Sequence, residues 1–358
     1  MRRTIMILFM VLVGIASVAS AQNYTVTDLG VLSGDSASEG LEINNSGLVV
    51  GCSDTSDITT YPCSSSFPGQ AFVWSLKSGM QGIGVLSGGV FSEAYSITDT
   101  GLAVGYSLDS QGVSTPFVWT KSAGMSALPT FSGATYSFAG QANVKGAIAG
   151  SSNSGANPSV ILPVAWIKSG NAYKLLTLPT LSGAVISLCC SINNSDEGAG
   201  VAFLDYTGTN YHAFRVKATG AVDLGTLPGG TISNGIWINS SGVVAGYSNS
   251  SASGSNWIAV AWDPSKKIHS LGTLPGGTSS AGNGINDSNQ IVGFSSTATS
   301  TSDAMIWTQK GGMQDLNNMI AADSGWVLEV ANSINNSGQI TGYGTINGES
   351  HAFLLTPQ

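Results

Sequence analysis

A nine-residue phrase that recurs seven times constrains this chain more than any other feature. Each copy begins with an anchor residue, continues through a polar turn and closes on a glycine eight residues after the anchor. The anchors, separated by 45 to 54 residues, are Ile43, Ile97, Ala142, Ile192, Ile238, Ile285 and Ile334. A repeat of this length indicates that the chain folds as a series of similar supersecondary units.

Two further phrases accompany each copy. A pair of aromatic or apolar residues flanks one residue, at Phe72/Trp74, Phe117/Trp119, Val164/Trp166, Phe214/Val216, Val260/Trp262, Met305/Trp307 and Phe353/Leu355. The phrase Leu-Gly-x-Leu-x-Gly-Gly, clearest at 224–230 and 271–277, starts 14 residues before the next anchor in six copies and 18 in the seventh. From the closing glycine to the aromatic pair the distance is 11 to 14 residues, except for 21 in the first copy. Fixed distances indicate packed strands, and variable ones indicate exposed loops.

Each unit is therefore predicted to contain four short antiparallel strands, as the blade of a β-propeller does. We predict an all-β, seven-bladed β-propeller that forms one domain over residues 22–358. A β-solenoid, whose coils are shorter, is the alternative. The mature chain opens with a lone fourth strand at 24–30 and ends after a third strand at 351–355. A fourth strand at the start of the chain and a missing fourth strand at its end favour a closed ring, in which the N-terminal strand completes the last blade.

At two positions of the repeat, nearly all copies have the same kind of residue. The position three before the anchor holds only small residues, namely Gly40, Ala94, Ala139, Cys189, Gly235, Gly282 and Ala331. Small residues suit an innermost strand where backbones crowd together. The position after the anchor is Asn in six copies (Asn44, Asn143, Asn193, Asn239, Asn286 and Asn335) and Thr98 in the other. An Asn that begins a turn bonds its own backbone, which explains this column without a calcium ion or a polar channel.

The charge content is low and its balance is acidic. Of 358 residues, 12 are Lys or Arg and 20 are Asp or Glu, so the net charge is −8. Such a chain lacks the basic patches that nucleic-acid binding requires, and we expect no nucleic-acid partner. The 47 glycines and the scarcity of charged residues favour strands joined by tight turns.

The first 21 residues have the order of a secretory signal peptide. Arg2 and Arg3 precede an apolar run at 5–18, and Ala19-Ser20-Ala21 supplies small residues for cleavage. This apolar run is shorter than the roughly 20 residues that span a bilayer. We therefore predict that residues 1–21 are removed, that the mature chain has no membrane span, and that the protein is secreted, as an extracellular or periplasmic protein.

The four cysteines are predicted to form one disulfide and one reduced pair. Cys52 and Cys63 bracket part of the longest loop, and export makes a disulfide between them chemically reasonable. Closing that loop would stabilise the fold by about 3 kcal/mol. Cys189 and Cys190 are adjacent in a predicted inner strand, where their side chains point to opposite faces. We expect a buried reduced pair there, with a strained vicinal disulfide as the alternative.

Residues for catalytic chemistry are few. His212 and His351 belong to a repeated His-Ala-Phe phrase, and His269 lies in a predicted fourth strand, so we expect no histidine-based site. Metal-binding spacings are missing, and we expect neither a metal nor a cofactor. The alternative left open is a catalytic pair of carboxylates like that of a glycosidase. Its candidates outside the obvious repeat columns are Asp54, Asp57, Asp109, Asp196, Glu197, Asp205, Asp303, Asp323 and Glu329.

The tryptophans divide into core residues and candidate ligand-binding residues. Five of them occupy the third-strand column and are predicted to fill the space between blades: Trp74, Trp119, Trp166, Trp262 and Trp307. Trp237, Trp257 and Trp326 lie off that column, with Trp257 in a variable loop and Trp326 in the lengthened connection. Exposed Trp beside Asn and Ser can stack on sugars, so these three are the candidate ligand-binding residues, with local packing as the alternative.

Several of these motifs together resemble a known repeat family. His351-Ala352-Phe353 and His212-Ala213-Phe214, with Asp-Leu-Gly-Thr-Leu and Ile-Asn-x-x-Gly-x-x-x-Gly phrases, resemble the HAF-type bacterial extracellular repeat. The resemblance covers Tyr24 to Pro357 and implies an exported, β-propeller-like repeat protein. It implies nothing about catalytic residues. Many members of the family end in a sorting or anchoring tail, whereas this chain ends at Thr356-Pro357-Gln358.

The function expected from these observations is binding without catalysis. We expect a monomeric module whose ligand is an extracellular glycan or protein, bound by the variable loops or the central mouth. The alternative is a polysaccharide-acting hydrolase or lyase on the same scaffold. A carboxylate pair with a raised pKa facing one cleft would favour the enzyme, and an exposed aromatic platform without such a pair would favour binding.

Overall fold

The computed structural model describes residues 23–56, 62–63, 65–66, 68–251 and 256–358. The predicted signal peptide at residues 1–21 and the candidate acid Asp57 lie outside these residues. Within the described part, no helix has the length and hydropathy that crossing a membrane requires.

The described residues form 28 strands and one short 3-10 helix. The first nine strands are β1 (Tyr24–Asp28), β2 (Ala37–Ile43), β3 (Val49–Asp54), β4 (Gly69–Ser75), β5 (Gly79–Gly84), β6 (Gly89–Ile97), β7 (Ala103–Asp109), β8 (Ser114–Thr120) and β9 (Gly124–Ala127). The next eight are β10 (Ser137–Ala142), β11 (Ile148–Ser154), β12 (Asn157–Ser169), β13 (Ala172–Thr177), β14 (Ile186–Ile192), β15 (Gly198–Phe203), β16 (Tyr211–Lys217) and β17 (Gly220–Asp223). Then follow β18 (Ser233–Ile238), β19 (Val244–Ser248), β20 (Ile258–Trp262), β21 (Ile268–Gly272), β22 (Ser280–Ile285), β23 (Ile291–Ser295), β24 (Asp303–Thr308) and β25 (Gly312–Asp315). The 3-10 helix Leu316–Met319 precedes the last three strands, β26 (Trp326–Ile334), β27 (Ile340–Ile346) and β28 (Glu349–Pro357).

Consecutive strands pair into antiparallel sheets of four. Strands β10 to β13, β14 to β17, β18 to β21 and β22 to β25 each form one such sheet. Strands β2 to β9 form a larger sheet, in which one parallel pair between Gly69 and Phe91 joins β4 to β6. The predicted all-β class and the predicted four-stranded antiparallel units are thus confirmed.

The two ends of the described chain meet in one sheet with the order β1-β28-β27-β26. Tyr24 pairs with Pro357 and Asp28 pairs with Phe353 in an antiparallel register. Tyr24 and Leu29 are buried, and they belong to two different hydrophobic clusters. Strand β1 and the residue after it, Leu29, therefore contribute both backbone pairing and apolar packing to the end of the chain.

A β-bulge interrupts every first strand two residues before the anchor. The extra residues, which have no partner in the register of the second strand, are Leu41, Tyr95, Gly140, Cys190, Ile236, Asn283 and Asn332. A bulge bends its strand and redirects the side chain of the extra residue. The closing glycine lies opposite the bulge, and a Cβ at Gly246 would overlap the carbonyl oxygen of Asn234. The bulge thus explains why each repeat closes on glycine.

The core includes the two columns predicted to be buried. Every residue of the small column is buried, and a Cβ at Gly40 would overlap the hydroxyl of Thr341 in the neighbouring sheet. Trp74, Trp166 and Trp262 are buried, and the other two third-strand tryptophans are partly buried against hydrophobic clusters. These observations confirm that both columns serve packing.

The Asn that follows each anchor makes two kinds of hydrogen bond. The Asn44 Oδ1 atom accepts from the backbone N of Ser46 and Leu48 at 3.0 and 2.9 Å, which confirms the turn role. Its Nδ2 atom donates to the Thr98 carbonyl of the next unit at 2.8 Å. Equivalent bonds to the next unit are made by Asn143, Asn193, Asn239, Asn286 and Asn335. This belt of amide donors between units was not predicted.

The disulfide prediction is confirmed, and the other cysteines are free. Cys52 and Cys63 are bonded with their Cα atoms 5.7 Å apart. Cys189 is buried in the small column, whereas Cys190 is the bulge residue of its strand and only partly buried. The two thiols therefore lie in different environments.

Candidate functional site

A cavity of about 620 Å³ is lined by residues from the first strands of all the units, and we call it the mouth cavity. All the bulge residues line its wall, from Leu41 on β2 to Asn332 on β26. The redirected backbone at each bulge therefore brings the extra residue of each unit to a common space, with a side chain in every unit except that of Gly140. The wall is completed by further residues that include Tyr106, Tyr136, Phe138 and Trp237.

One half of the mouth cavity is aromatic. The Tyr95 ring lies 5.6 Å from the Tyr106 ring and 5.9 Å from the Phe138 ring, measured between centroids. Tyr136 packs edge-on against Phe138 at 5.8 Å and is 39% exposed. These tilted and edge-on contacts hold the rings in fixed positions. The aromatic half thus presents a preformed apolar surface.

Another part of the wall carries two amides. Asn283 and Asn332 are bulge residues of neighbouring units, and the Asn283 Nδ2 atom lies 3.5 Å from the Asn332 Oδ1 atom. The Asn332 Nδ2 atom donates to Glu39 Oε1 at 2.7 Å and to the Gly40 carbonyl at 3.0 Å. The amide wall is therefore connected directly to a carboxyl group behind it.

Two carboxyl groups that do not line the mouth cavity are hydrogen-bonded to residues that do, Glu39 to Asn332 and Glu93 to Tyr95 and Tyr106. Burial, together with the nearby charge of Glu93, raises the pKa of Glu39 to about 8. Burial also raises the pKa of Glu93 to about 7, although hydrogen bonds from Tyr106 and Tyr95 favour its charged form. The nearby charge of Asp54 also raises the pKa of both groups. At neutral pH the pair therefore retains protons that exposed carboxyl groups would have lost.

The lining groups near this pair stay neutral. Burial raises the pKa of Tyr95 well above its ordinary value, and it raises the pKa of Tyr136 to about 12. Burial raises the pKa of the Cys190 thiol to about 11, so this group is a thiol and a weak nucleophile at neutral pH. The arrangement can stack on a ring, donate and accept hydrogen bonds, and exchange protons at the carboxyl pair.

A smaller polar cavity of about 150 Å³ lies where the first strands end in the Asn turns. It is lined by the Asn column except Asn143 and by Glu42, whose Oε2 atom accepts from the Ile97 backbone N at 2.5 Å. Burial raises the pKa of Glu42 to about 7, opposed by hydrogen bonds from Ser96, Ile97 and Gln141. Because these polar groups bond one another between units, this cavity serves the packing of the units.

The three tryptophans proposed for ligand binding lie in different places. Trp237 lines the mouth cavity. Trp257 is 38% exposed and stacks on Tyr247 with the ring centroids 5.0 Å apart. Trp326 is buried and packs edge-on against Phe353 in a hydrophobic cluster. Among the three, the structure therefore brings Trp237 alone into contact with the mouth cavity.

Of the acids considered from the sequence, Asp54 lies near Glu39 and Glu93, where its charge raises the pKa of both. Among the described residues, no acid and no histidine lines the mouth cavity. Asp196 pairs with Lys145 at 2.9 Å, and Glu197 lies 3.7 Å from the Arg215 side chain. The three histidines each contact an aspartate: His212 contacts Asp223, His269 contacts Asp263 and His351 contacts Asp28. In the described part of the chain, no group of three or more His, Cys, Asp or Glu could hold a metal ion.

Sequence reasoning missed Glu39 and Glu93 because both lie inside a repeat column. Their position, four before the anchor, holds Phe138, Leu188, Asn234, Ala281 and Val330 in the other units. The informative signal in the sequence is that two successive units both carry an acid at this one column position. A column comparison at this position could have found them.

Several solved structures share this architecture at low sequence identity. A catalytically inactive virginiamycin B lyase from Staphylococcus aureus, with quinupristin, is 9% identical and has a TM-score of 0.54, covering 93% of this chain and 99% of that chain. The β-propeller domain of the Trilobed protease from Pyrococcus furiosus, which has an open velcro topology, is 9% identical with a TM-score of 0.56, covering 90% and 97%. A puromycin hydrolase mutant is 12% identical with a TM-score of 0.51, covering 88% of this chain and 50% of that chain.

These similarities show that the chain has a β-propeller fold. No protein-family profile and no curated protein sequence matches the chain. At identities this low, the structural neighbours establish the architecture, and function has to be argued from the site itself.

Proposed function

We propose that this protein is an exported, seven-bladed β-propeller that binds a saccharide in the mouth cavity. The observation that carries the proposal is the composition of that wall, with an aromatic part around Tyr95, a further ring at Trp237 and an amide part formed by Asn283 and Asn332. Sugar rings have apolar faces that stack on aromatic side chains, and their hydroxyl groups match amide donors and acceptors. A preformed concave pocket with few polar groups is the usual form of a small-molecule site.

Seven blades closed by β1 is the arrangement that best accounts for the contacts at the chain ends. Ser92 Oγ accepts from the Ala71 backbone N and donates to the Gly84 carbonyl of the preceding unit. Ser38 Oγ makes the same two bonds to Ala352 and Gly30, one from each end of the chain. Strands β28 and β1 together thus occupy the place of the third and fourth strands of one blade.

Export and membership of the HAF-type repeat family are also part of the proposal. The disulfide between Cys52 and Cys63 is consistent with an oxidising compartment. The contact between His351 and Asp28 gives the His-Ala-Phe and Asp-Leu-Gly phrases a shared structural role, because His212 and Asp223 make the same contact. These features support a secreted repeat protein.

A glycan array with two matched variants tests the proposed site. Tyr136 and Trp257 are almost equally exposed aromatic residues, but Tyr136 lines the mouth cavity and Trp257 lies beside Tyr247. We expect Tyr136→Ala to weaken saccharide binding at least tenfold and Trp257→Ala to leave it unchanged. The opposite pattern would place the site on the variable loops. A chain that binds no saccharide on the array would overturn the proposal.

A polysaccharide-acting enzyme is the second candidate, favoured by one observation. Glu39 and Glu93 form a carboxyl pair with raised pKa values beside the cavity, which is the feature expected for general acid-base catalysis. Both groups lie behind the lining residues Asn332, Tyr95 and Tyr106, so the wall separates them from a bound sugar. Release of reducing sugar from any polysaccharide, lost in Glu93→Gln, would establish the enzyme.

A further inference from the structure

The inner end of the mouth cavity determines which part of a saccharide can enter it. We propose that a layer of side chains that includes Glu42, Gln141 and Trp237 closes this end, so that the cavity binds the terminal residue of an uncharged saccharide chain and excludes an internal segment. This inference rests on the proposed function, because it names the part of the ligand that the same cavity takes.

The first argument is the order of the two cavities along the first strands. The bulge residues, two before each anchor, line the mouth cavity. Six of the seven anchors, from Ile43 to Ile334, line the smaller polar cavity together with residues of the Asn turns. The position one before the anchor therefore lies between the two cavities. We call the residues at this position the dividing layer, which consists of Glu42, Ser96, Gln141, Ser191, Trp237, Gly284 and Ser333.

A hydrogen bond between two units that are not neighbours closes one side of the dividing layer. Gln141 Nε2 donates to Glu42 Oε1 at 3.2 Å, and these residues belong to the third and the first unit. The Ser96 hydroxyl of the second unit also hydrogen-bonds to Glu42. Because the two side chains meet across an intervening unit, they point into the space that the first strands enclose.

The same two side chains are held at their other ends. Glu42 Oε2 accepts from the Ile97 backbone N at 2.5 Å, and Gln141 Oε1 accepts from the Ile192 backbone N at 2.8 Å. Glu42 and Gln141 are both buried. Moving either side chain would leave a buried backbone donor without a partner, which is energetically costly. This side of the dividing layer therefore stays closed when a ligand enters.

Trp237 closes another side of the dividing layer. Among the described residues, it alone lines both the mouth cavity and the polar cavity. Its side chain packs against a hydrophobic cluster that includes Ile285 and Met305 of the next unit. A large ring held by such packing separates the two cavities and forms the inner wall of the mouth cavity.

A cavity that is closed at its inner end selects the ends of chains. An internal segment has a neighbour on both sides, so both flanking chains would have to pass through the same mouth. A terminal residue has one flanking chain, and it can enter with its ring against Trp237 or Tyr95. Its uncharged hydroxyl groups can bond to Asn283 and Asn332, because an amide both donates and accepts.

Isothermal titration calorimetry with polysaccharides of two lengths tests the inference. The probes are soluble, uncharged polymers, namely pullulan, a β-1,3-glucan, a β-1,4-mannan and a β-1,4-xylan, each as a long fraction and as a fraction of one tenth the length. The shorter fraction has ten times more chain ends per gram. For every polymer that binds, we therefore expect the shorter fraction to bind ten times more protein per gram, with the same Kd per site. Sites along the chain interior would give both fractions the same capacity per gram.

Two variants of Trp237 test the inner wall itself. We expect Trp237→Ala to weaken binding of the shorter fraction at least tenfold, because the ring that closes the cavity is lost. Trp237→Phe keeps a ring at this position and should retain most of the affinity. Thermal midpoints check that both variants fold, and the comparison of chain lengths on the unaltered protein stands without them.

The outcomes separate this inference from the proposed function. Equal capacity per gram for the long and short fractions would overturn the inference and leave saccharide binding intact. Unchanged binding by Trp237→Ala would show that Trp237 does not form the inner wall. Binding of no polymer in either form would also overturn the inference, and a blank glycan array in addition would overturn the proposed function.

Discussion

At the closing glycine of each unit, the absence of a side chain allows the bulge that lines the mouth cavity. At Gly246, the space that a Cβ would fill is occupied by the Asn234 carbonyl of the first strand. Gly51, Gly105, Gly150, Gly200, Gly293 and Gly342 have the same environment with the carbonyl at the matching position. A single residue type therefore controls where the extra residue of the first strand points.

Replacing one closing glycine by alanine should destabilise the protein strongly. We expect Gly246→Ala to lower the free energy of unfolding by roughly 3 kcal/mol, because backbone atoms cannot move away from the new Cβ. Gly220→Ala is the matched control, since a Cβ at Gly220 meets no atom within 4 Å. Denaturant unfolding followed by tryptophan fluorescence measures both. A Gly246→Ala variant as stable as the control would contradict the role given to the bulge.

The belt of Asn amides has one gap, at Thr98, whose hydroxyl accepts from the Leu102 backbone N at 3.2 Å. A side-chain amide at this position would donate to the carbonyl of Asn143, as Asn44 donates to Thr98 itself. We expect Thr98→Asn to raise the free energy of unfolding by about 1 kcal/mol, the value of one additional net hydrogen bond. Thr98→Ala, which removes the existing bond, should lower it.

The same residues show what the sequence could and could not predict at this scale. The turn role of Asn44 follows from local chemistry, because the acceptor atoms lie two and four residues away. The amide donation reaches Thr98, 54 residues away, and depends on how one unit packs on the next. The recurrence of Asn at this position shows that Asn is favoured there. It does not show whether the bond within the turn or the bond to the next unit is the reason.

At the scale of strands, the contact between β1 and β28 contains a titratable pair. His351 Nδ1 lies 3.0 Å from Asp28 Oδ1. The hydrogen bond to Asp28 raises the pKa of His351 above its ordinary value of 6.5, against the opposing effect of burial. Burial would raise the pKa of Asp28, but hydrogen bonds from His351 and Gly30 lower it below 3.8.

The two shifts define a pH window for this pairing. The contribution of His351 is fully present below pH 6.5 and is lost as the pH rises through its raised folded-state pKa. The contribution of Asp28 is present above pH 3.8 and is lost as the pH falls through its lowered folded-state pKa. The pair therefore stabilises β1 on β28 most between these two values.

The variant His351→Gln tests this window. We expect its thermal midpoint to lie below that of the unaltered protein at about pH 5, and the difference to shrink as the pH rises above the His351 pKa. His212→Gln is the matched control, because it removes the equivalent contact to Asp223 within one continuous unit. A difference that is the same at every pH would show that His351 acts by packing and not by charge.

Strand positions were predictable because each anchor, aromatic pair and glycine reports a fixed place in the unit. Bulges were not, because an extra residue leaves the spacing from anchor to glycine unchanged at eight. The simple alternation of an ordinary strand does not predict which way Tyr95 and Asn332 point. The bulge changes the direction of both residues, and both line the mouth cavity. The repeat spacing therefore could not identify the residues that line the candidate site.

At the scale of the whole molecule, β1 is the element that joins the two ends of the proposed ring. Its loss would expose the backbone edge of β28 along the register from Phe353 to Pro357 and would remove the buried side chains of Tyr24 and Leu29. An exposed edge strand is a site for association with other chains. The proposed ring thus depends on a segment of five paired residues.

Deleting residues 22–30 should therefore lower the thermal midpoint and promote association. Trimming residues 356–358 is the control, since it removes the pairs of Thr25 and Tyr24 and the hydrogen bonds of Gln358 but keeps three strand pairs and Leu29 in place. Light scattering coupled to size-exclusion chromatography, with a thermal unfolding scan, measures both effects. If the larger deletion leaves stability and monomer content unchanged, an open array becomes the better description of the molecule.

A crystal structure of the mature protein with the strongest saccharide from the array tests the central claim most directly. The account predicts electron density for the sugar in the mouth cavity, with a ring against Tyr95, Phe138 or Trp237 and a hydroxyl or amino group within hydrogen-bonding distance of Asn283 or Asn332. Density for the sugar beside Trp257 or on another outer loop, with the mouth cavity filled only by water at saturating ligand, would contradict it.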